Sequence, residues 1–283
     1  MIIDFHTHIF PPEIIAARQE YTCRDSCMGL LYSNLKAKMI TADELVAALN
    51  EAGVDRAVAL NISWDSDELC TFTNNYLLES ARRYPERIIP FCALPISNPS
   101  ASLNELERCL SLGAKGIGEL RTERPEELAL PPYQPLFERI AQRGLVCLFH
   151  ASEPLGHIYP GKGLATPERF YPFISRYPKL KLVLAHLGGG MPFYHLMPEA
   201  AKVLSNTAYD TAAAPFLYNP EIYQQVIKLA GETKLLFGSD YPLMPYDRTL
   251  KHLLDGRLET DIQAKILRQN ALDWLNKEET GLG

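Results

Sequence analysis

Short apolar runs recur along the chain at Ile2–His8, Arg56–Ile62, Ile88–Leu94, Ala114–Leu120, Leu145–Ala151, Lys181–His186, Asn206–Ala212 and Lys234–Asp240. Most are continuous in hydrophobicity rather than alternating, the pattern of strands covered on both faces. Longer segments with helical patterning separate them. Thr41-Ala-Asp-Glu44 is a capping box that opens a helix stopped at Gly53. Further helices are predicted over Asn74–Arg83, Ser100–Leu112, Tyr133–Arg143 and Pro220–Ala230, the last three each closed by a glycine.

Strand followed by helix, eight times over, predicts a single-domain (β/α)8 TIM barrel spanning residues 1–283. An open doubly wound sheet is expected to place a glycine-rich turn after its first strand. Here that strand runs instead into His6-Thr7-His8. Gly188-Gly189-Gly190 follows the sixth strand without the Lys-Ser/Thr of a phosphate-binding loop, and reads as a turn letting the backbone pass close to the barrel mouth. Two connections are long, Ile9–Ile40 and Ser152–Pro167. In a barrel both would overhang the C-terminal mouth, where active sites are built.

Composition narrows the function classes. With 283 residues, 47% hydrophobic, the chain has ample material for a core. A net charge of −6 with no dense basic run argues against a nucleic-acid partner. No stretch approaches the ~18 apolar residues of a membrane span, and the start lacks the basic-then-apolar pattern of a signal peptide. Six cysteines fall at irregular spacings, and Cys23-x-x-x-Cys27 has no second pair to complete a zinc motif. A reduced, cytoplasmic protein acting on a small molecule is expected; oligomeric state, a homodimer included, stays open.

His6, His8, His150 and His186 fall at the C-terminal ends of predicted strands, and Asp240 closes the last one. Residues i and i+2 of a strand share a face, so His6 and His8 would point together into the barrel. Alone, each has a plain structural reading: a hydrogen-bonded pair, a core histidine for His150, a turn cap for Asp240. Together, three imidazoles and a carboxylate suit zinc, with Mn²⁺ or Fe²⁺ as alternatives. Arg121 and Arg124, just past strand 4, are either carboxylate clamps or solvated loop residues. Asn61, Trp64 and Tyr241 are candidate pocket walls, and His157 is either a substrate contact or a surface residue. His195 and His252 lie in helical segments and read as structural.

Ile3-Asp-Phe-His6-Thr-His8, Lys115-Gly-Ile-Gly-Glu119, Phe149-His150, Ala185-His-Leu-Gly-Gly189 and Phe237-Gly-Ser-Asp-Tyr-Pro242, in that order, resemble the amidohydrolase superfamily. The resemblance is to its amidohydrolase-related branch, which includes aromatic-acid decarboxylases and lactonases. It implies that His6, His8, His150 and Asp240 bind a divalent cation and that His186 bonds the substrate or an attacking water. Glu119 then binds the metal, stands behind a ligand, or pairs with Arg121.

The expected reaction is hydrolysis of an amide, ester or lactone carbonyl by a metal-activated water, with Asp240 as base. The alternative is a metal-dependent non-oxidative decarboxylase, with Arg121 on the leaving carboxylate and His186 supplying the proton. A catalytically silent ligand-binding barrel is a third reading, opposed by the full set of strand-end groups.

Overall fold

The structure, a computed structural model, describes residues 1–276; residues 277–283 of the expected domain lie outside the described residues. Its strands are β1 (Ile3–His8), β2 (Arg56–Leu60), β3 (Ile88–Cys92), β4 (Gly116–Leu120), β5 (Val146–Phe149), β6 (Lys181–Leu184), β7 (Thr207–Asp210) and β8 (Leu235–Leu236). They form one sheet in sequence order, and each recorded pair is parallel. Backbone hydrogen bonds close it: Phe5 N to Phe237 O (2.7 Å), Asp240 N to His6 O (2.9 Å) and His8 N to Tyr241 O (2.8 Å). The fold is the expected TIM barrel.

Two apolar layers account for the continuous hydrophobicity of the strands. Ile3, Phe5, Val58, Leu60, Ile89, Phe91, Val146, Leu148, Val183, Ala185, Ala208 and Leu236 fill the interior. Alternate positions, among them Ala59, Ile88, Cys92, Ile117, Cys147, Phe149, Leu182 and Tyr209, pack under the helices. Each fully buried large side chain contributes about 1.5–3 kcal/mol of burial free energy. Phe91 meets Phe5 edge-on at 5.6 Å across the barrel, and a Cβ on Gly116 would lie 2.4 Å from the Phe91 ring, so only glycine fits there.

Two strands carry an irregularity next to a candidate ligand. Between Asp4 and Thr7 of β1, and between Ile117 and Leu120 of β4, the pairing register shifts. Such a bulge re-aims the side chains beyond it. Phe5 therefore stays in the apolar interior while His6, its neighbour, also turns into the mouth.

The pattern misplaced several boundaries. β8 ends at Leu236, and Gly238-Ser239-Asp240 leaves as irregular backbone with Asp240 at φ 66°. The helix expected from Asn74 begins at Asp67, capped by Ser66, because polar residues occupy its first turns. Segment 9–40 contains three short helices, Pro12–Ala16, Arg18–Arg24 and Ser26–Tyr32, tied by Arg18, which donates to Tyr32 O, Asn34 O and Ala37 O. Gly189 does bring the backbone close: a Cβ there would lie 2.3 Å from Ser152 O. Among the described residues no helix is long and apolar enough to cross a membrane.

Candidate metal centre

At the C-terminal mouth, His6 and His8 from β1, Glu119 from β4 and Asp240 after β8 converge. His6 Nε2 and His8 Nε2 stand 3.1 Å apart. Asp240 Oδ1 lies 3.5 Å from His8 Nε2 and 3.8 Å from His6 Nε2. Glu119 Oε1 is 3.9 Å from His6 Nε2, and its Oε2 is 3.7 Å from His8 Nε2. On the other side, Glu119 Oε1 lies 3.4 Å from His150 Nδ1 and 3.7 Å from His186 Nε2. Two triads result, His6–His8–Glu119 and Glu119–His150–His186, with Glu119 common to both.

The tautomers follow from the outer partners. Asp210 Oδ2 can only accept from His6 Nδ1 (2.8 Å), and Ala212 O only from His186 Nδ1 (3.1 Å). In the neutral ring, Nε2 of His6 and of His186 thus turns a lone pair into the centre. Among the described residues, Glu119 Oε1 and His8 Nδ1 are buried without a hydrogen-bond partner. Lone pairs and carboxylate oxygens facing one another at 3–4 Å call for a positive charge between them.

The ionisation equilibria express the same demand. Burial opposes the charged form of His6, yet the Asp210 carboxylate raises its pKa to about 10. Burial likewise opposes ionised Glu119, but His150 and His186 hold it well below its ordinary value. Asp240, against the same burial, is drawn down to about 2 by His8 and the other imidazoles. A divalent cation fits these donors: the His6 and His8 Nε2 atoms lie within about 4.2 Å, twice a ~2.1 Å metal–ligand bond, of each other and of the Glu119 and Asp240 carboxylates.

Other expected residues fare unevenly. Glu119 does not pair with Arg121, whose guanidinium reaches Glu123 (3.4 Å) from a largely buried position. Arg124 pairs with Glu127 on the surface. Asn61 spends its polar atoms internally, accepting from Trp64 Nε1 (2.9 Å) and Ile62 N (3.0 Å), so Asn61 and Trp64 brace the β2 exit instead of presenting polar groups. Tyr241 stacks on Tyr246 at 5.0 Å, and its carbonyl holds His8 N. His157 is exposed and packs on Tyr159, outside the cluster, because the loop turns its tip to solvent. His195 and His252 are structural, paired with the Tyr209 and Tyr223 hydroxyls.

Sequence reasoning missed Asp210 and Ser63. Asp210 also accepts from His186 N (3.0 Å) and Ala212 N (3.0 Å), joining both triads from beneath. An acid inside an apolar run, Thr207-Ala-Tyr-Asp210, was the available signal. Ser63 Oγ donates to Glu119 O (3.1 Å) and accepts from Arg121 N (2.6 Å), pinning the β4 exit. Asp210→Asn is expected to lower metal affinity by about 10–100-fold through loss of the His6 tautomer. Chelator competition checks this; affinity equal to wild type would contradict it.

Residues 3–277 match the model of the amidohydrolase family. The chain belongs to the amidohydrolase family. Its relatives include a 2-amino-3-carboxymuconate-6-semialdehyde decarboxylase of Dictyostelium discoideum, 23% identical over 96% of this chain and 91% of that protein. Among solved structures, the 5-carboxyvanillate decarboxylase of Sphingomonas paucimobilis superposes with a TM-score of 0.80 at 17% identity, covering 97% of this chain and 98% of that one. A dihydroxybenzoic acid decarboxylase of Polaromonas sp. JS666, with bound manganese and 2-nitroresorcinol, gives 0.71 at 20% identity over 97% and 96%. At such identities the structural matches establish the fold alone; the family rests on the matched model. The expected hydrolase is corrected by these comparisons, since the sequence relatives, such as the Dictyostelium protein, are named as decarboxylases. Strand-end ligands serve either reaction, which is why the residues alone did not separate them.

Proposed function

We propose that this chain is a divalent-metal-dependent lyase, a non-oxidative decarboxylase of a small carboxylic acid, carried by a single domain over residues 1–283. The observation that carries the reading is the likeness to decarboxylases along nearly the whole chain, joined to a centre built to hold positive charge. His6, His8, Glu119 and Asp240 would hold the ion, with His150 in reach on the far side of Glu119. When bound, the cation supplies positive charge for the substrate's oxygens and for the electron pair left by departing CO₂. Manganese is favoured over the expected zinc by the manganese in the Polaromonas structure. Free cysteines, five of the six buried, support a reducing, cytoplasmic setting.

Decarboxylation breaks the bond between the carboxylate and its carbon, and that carbon then takes a proton. His186 would deliver it. Its Nδ1 is held by Ala212 O, its Nε2 faces the centre, and although burial opposes its charged form, Glu119 and Asp240 raise its pKa. Arg121, largely buried two residues past Glu119 and close enough to lower the pKa of His150, would hold the substrate carboxylate. Its removal as Arg121→Ala is expected to lower kcat/KM by about 10–100-fold, the worth of one charged hydrogen bond.

The test loads the purified protein with Mn²⁺ and offers a dihydroxybenzoate, 5-carboxyvanillate and 6-methylsalicylate, acids named for the relatives' activities. CO₂ release matching substrate loss, abolished by a chelator and restored by Mn²⁺, is expected. Fully loaded protein releasing no CO₂ from any of them would overturn the reading.

A further inference from the structure

β1 and β8 are the first and last strands, and the candidate ion would sit across the seam where they meet, with His6 and His8 on one side and Asp240 on the other. Little regular pairing holds this seam, since β8 ends at Leu236, four residues before Asp240. What crosses it near the centre includes a buried carboxylate. Asp4 Oδ1 accepts from His6 N (3.0 Å) on its own strand and from Ser239 N (2.9 Å) across the seam, and Oδ2 accepts from Ser239 Oγ. Ser239 Oγ in turn accepts from Tyr241 N (2.9 Å). The N–H groups on both sides of Asp240 are thereby held, and Asp240 N itself bonds His6 O. Asp240 has the left-handed conformation, which a non-glycine residue keeps only when its surroundings impose it.

Asp4 is fully buried, and among the described residues it makes no ion pair. A carboxylate so placed carries a desolvation cost that its N–H and O–H donors offset only in part. An apolar residue would suit a strand position under the helix layer better, unless the acceptor is needed to shape the turn.

We infer that Asp4 and Ser239 are positioning residues that set the separation of Asp240 from the His6 and His8 imidazoles across the barrel seam. The inference rests on the metal centre of the proposed function. Metal–ligand distances tolerate about ±0.2 Å, so a seam that relaxes by a few tenths of an ångström weakens the site without emptying the fold.

The experiment compares Mn²⁺ affinity, by competition with a chromophoric chelator, and the Mn²⁺ EPR spectrum in wild type, Asp4→Asn, Ser239→Ala and Ser239→Thr. Ser239→Ala is expected to lose about 10–100-fold in affinity, the usual scale for a group behind a ligand, with a broadened spectrum. Ser239→Thr, which keeps the hydroxyl, restores both, and Asp4→Asn, which keeps one acceptor oxygen, falls between. In turnover, kcat drops while KM stays near wild type. Ser239→Ala and Asp4→Asn proteins that fold and bind Mn²⁺ with wild-type affinity and spectrum overturn the inference. Wild type that binds Mn²⁺ but releases no CO₂ overturns the decarboxylase reading alone and leaves the affinity comparison to decide this one.

Discussion

Glu119→Gln is expected to give a folded barrel that retains little metal and releases CO₂ at about a thousandth of the wild-type rate, a loss near 4 kcal/mol of transition-state stabilisation. Glu119 is the one side chain common to both triads, and its oxygens lie between 3.4 and 3.9 Å from four imidazole nitrogens. Glutamine keeps the shape and removes the charge. A neutral amide cannot replace the carboxylate that helps His6, His8 and Asp240 hold a dication, and its N–H₂ would donate where lone pairs are needed. Metal content after purification and single-turnover CO₂ release measure the two losses separately. Mn²⁺ is also expected to raise the Tm of wild type and not that of the variant, because only a ligand that binds the folded state stabilises it. A variant with full metal content and a rate within about tenfold of wild type, under 1.4 kcal/mol, would remove Glu119 from the centre.

Gly189→Ala is expected to cost about 3 kcal/mol or more and to lower Tm by about 10 °C. The added Cβ would lie 2.3 Å from Ser152 O, 2.5 Å from Ser152 C and 3.0 Å from Glu153 N, all backbone atoms that cannot swing aside. The residue also sits at φ 58°, where a side chain adds strain. The damage reaches the centre. Ser152 Oγ lies 3.1 Å from His150 Nε2, so pushing Ser152 away displaces His150, and activity is expected to fall beyond what the remaining folded fraction explains. Gly53→Ala is the control, with φ 68° and nothing within 4 Å of its Cβ; there only the conformational strain of about 1–2 kcal/mol applies. Thermal melts of the two variants decide it: equal shifts would mean that the close approach to Ser152 carries no energetic weight.

The residues that were legible share one property: they interrupt an apolar run at its end. His6, His8, His150, His186 and Asp240 all do so, and all reach the mouth. Glu119 was legible by position, but whether it faced the imidazoles or Arg121 was not, since the β4 register shift that aims it is a property of pairing with β5. Asp210 and Asp4 escaped notice because an acid within a strand has no recognisable spacing to its partner; Asp210 bonds His6 across 204 positions of sequence, and Asp4 bonds Ser239 across 235. Asn61 and His157 stayed ambiguous for the opposite reason. A polar residue at a strand end or on a long loop looks the same in sequence whether it faces a substrate, a neighbouring backbone or water.

Eight apolar runs, whose two buried faces demand helices around them, were enough to specify the barrel and to mark which strand ends carry ligating groups. How those groups meet depends on the closed sheet. Glu119 as the shared member of two triads, Asp210 as the acceptor that turns His6 inward, and Asp4 across the β1–β8 seam depend on distances between strands far apart in the chain. Local patterning reports burial, because burial repeats with the period of the element. It carries no record of the separation between two residues until the sheet closes and brings them within bonding reach.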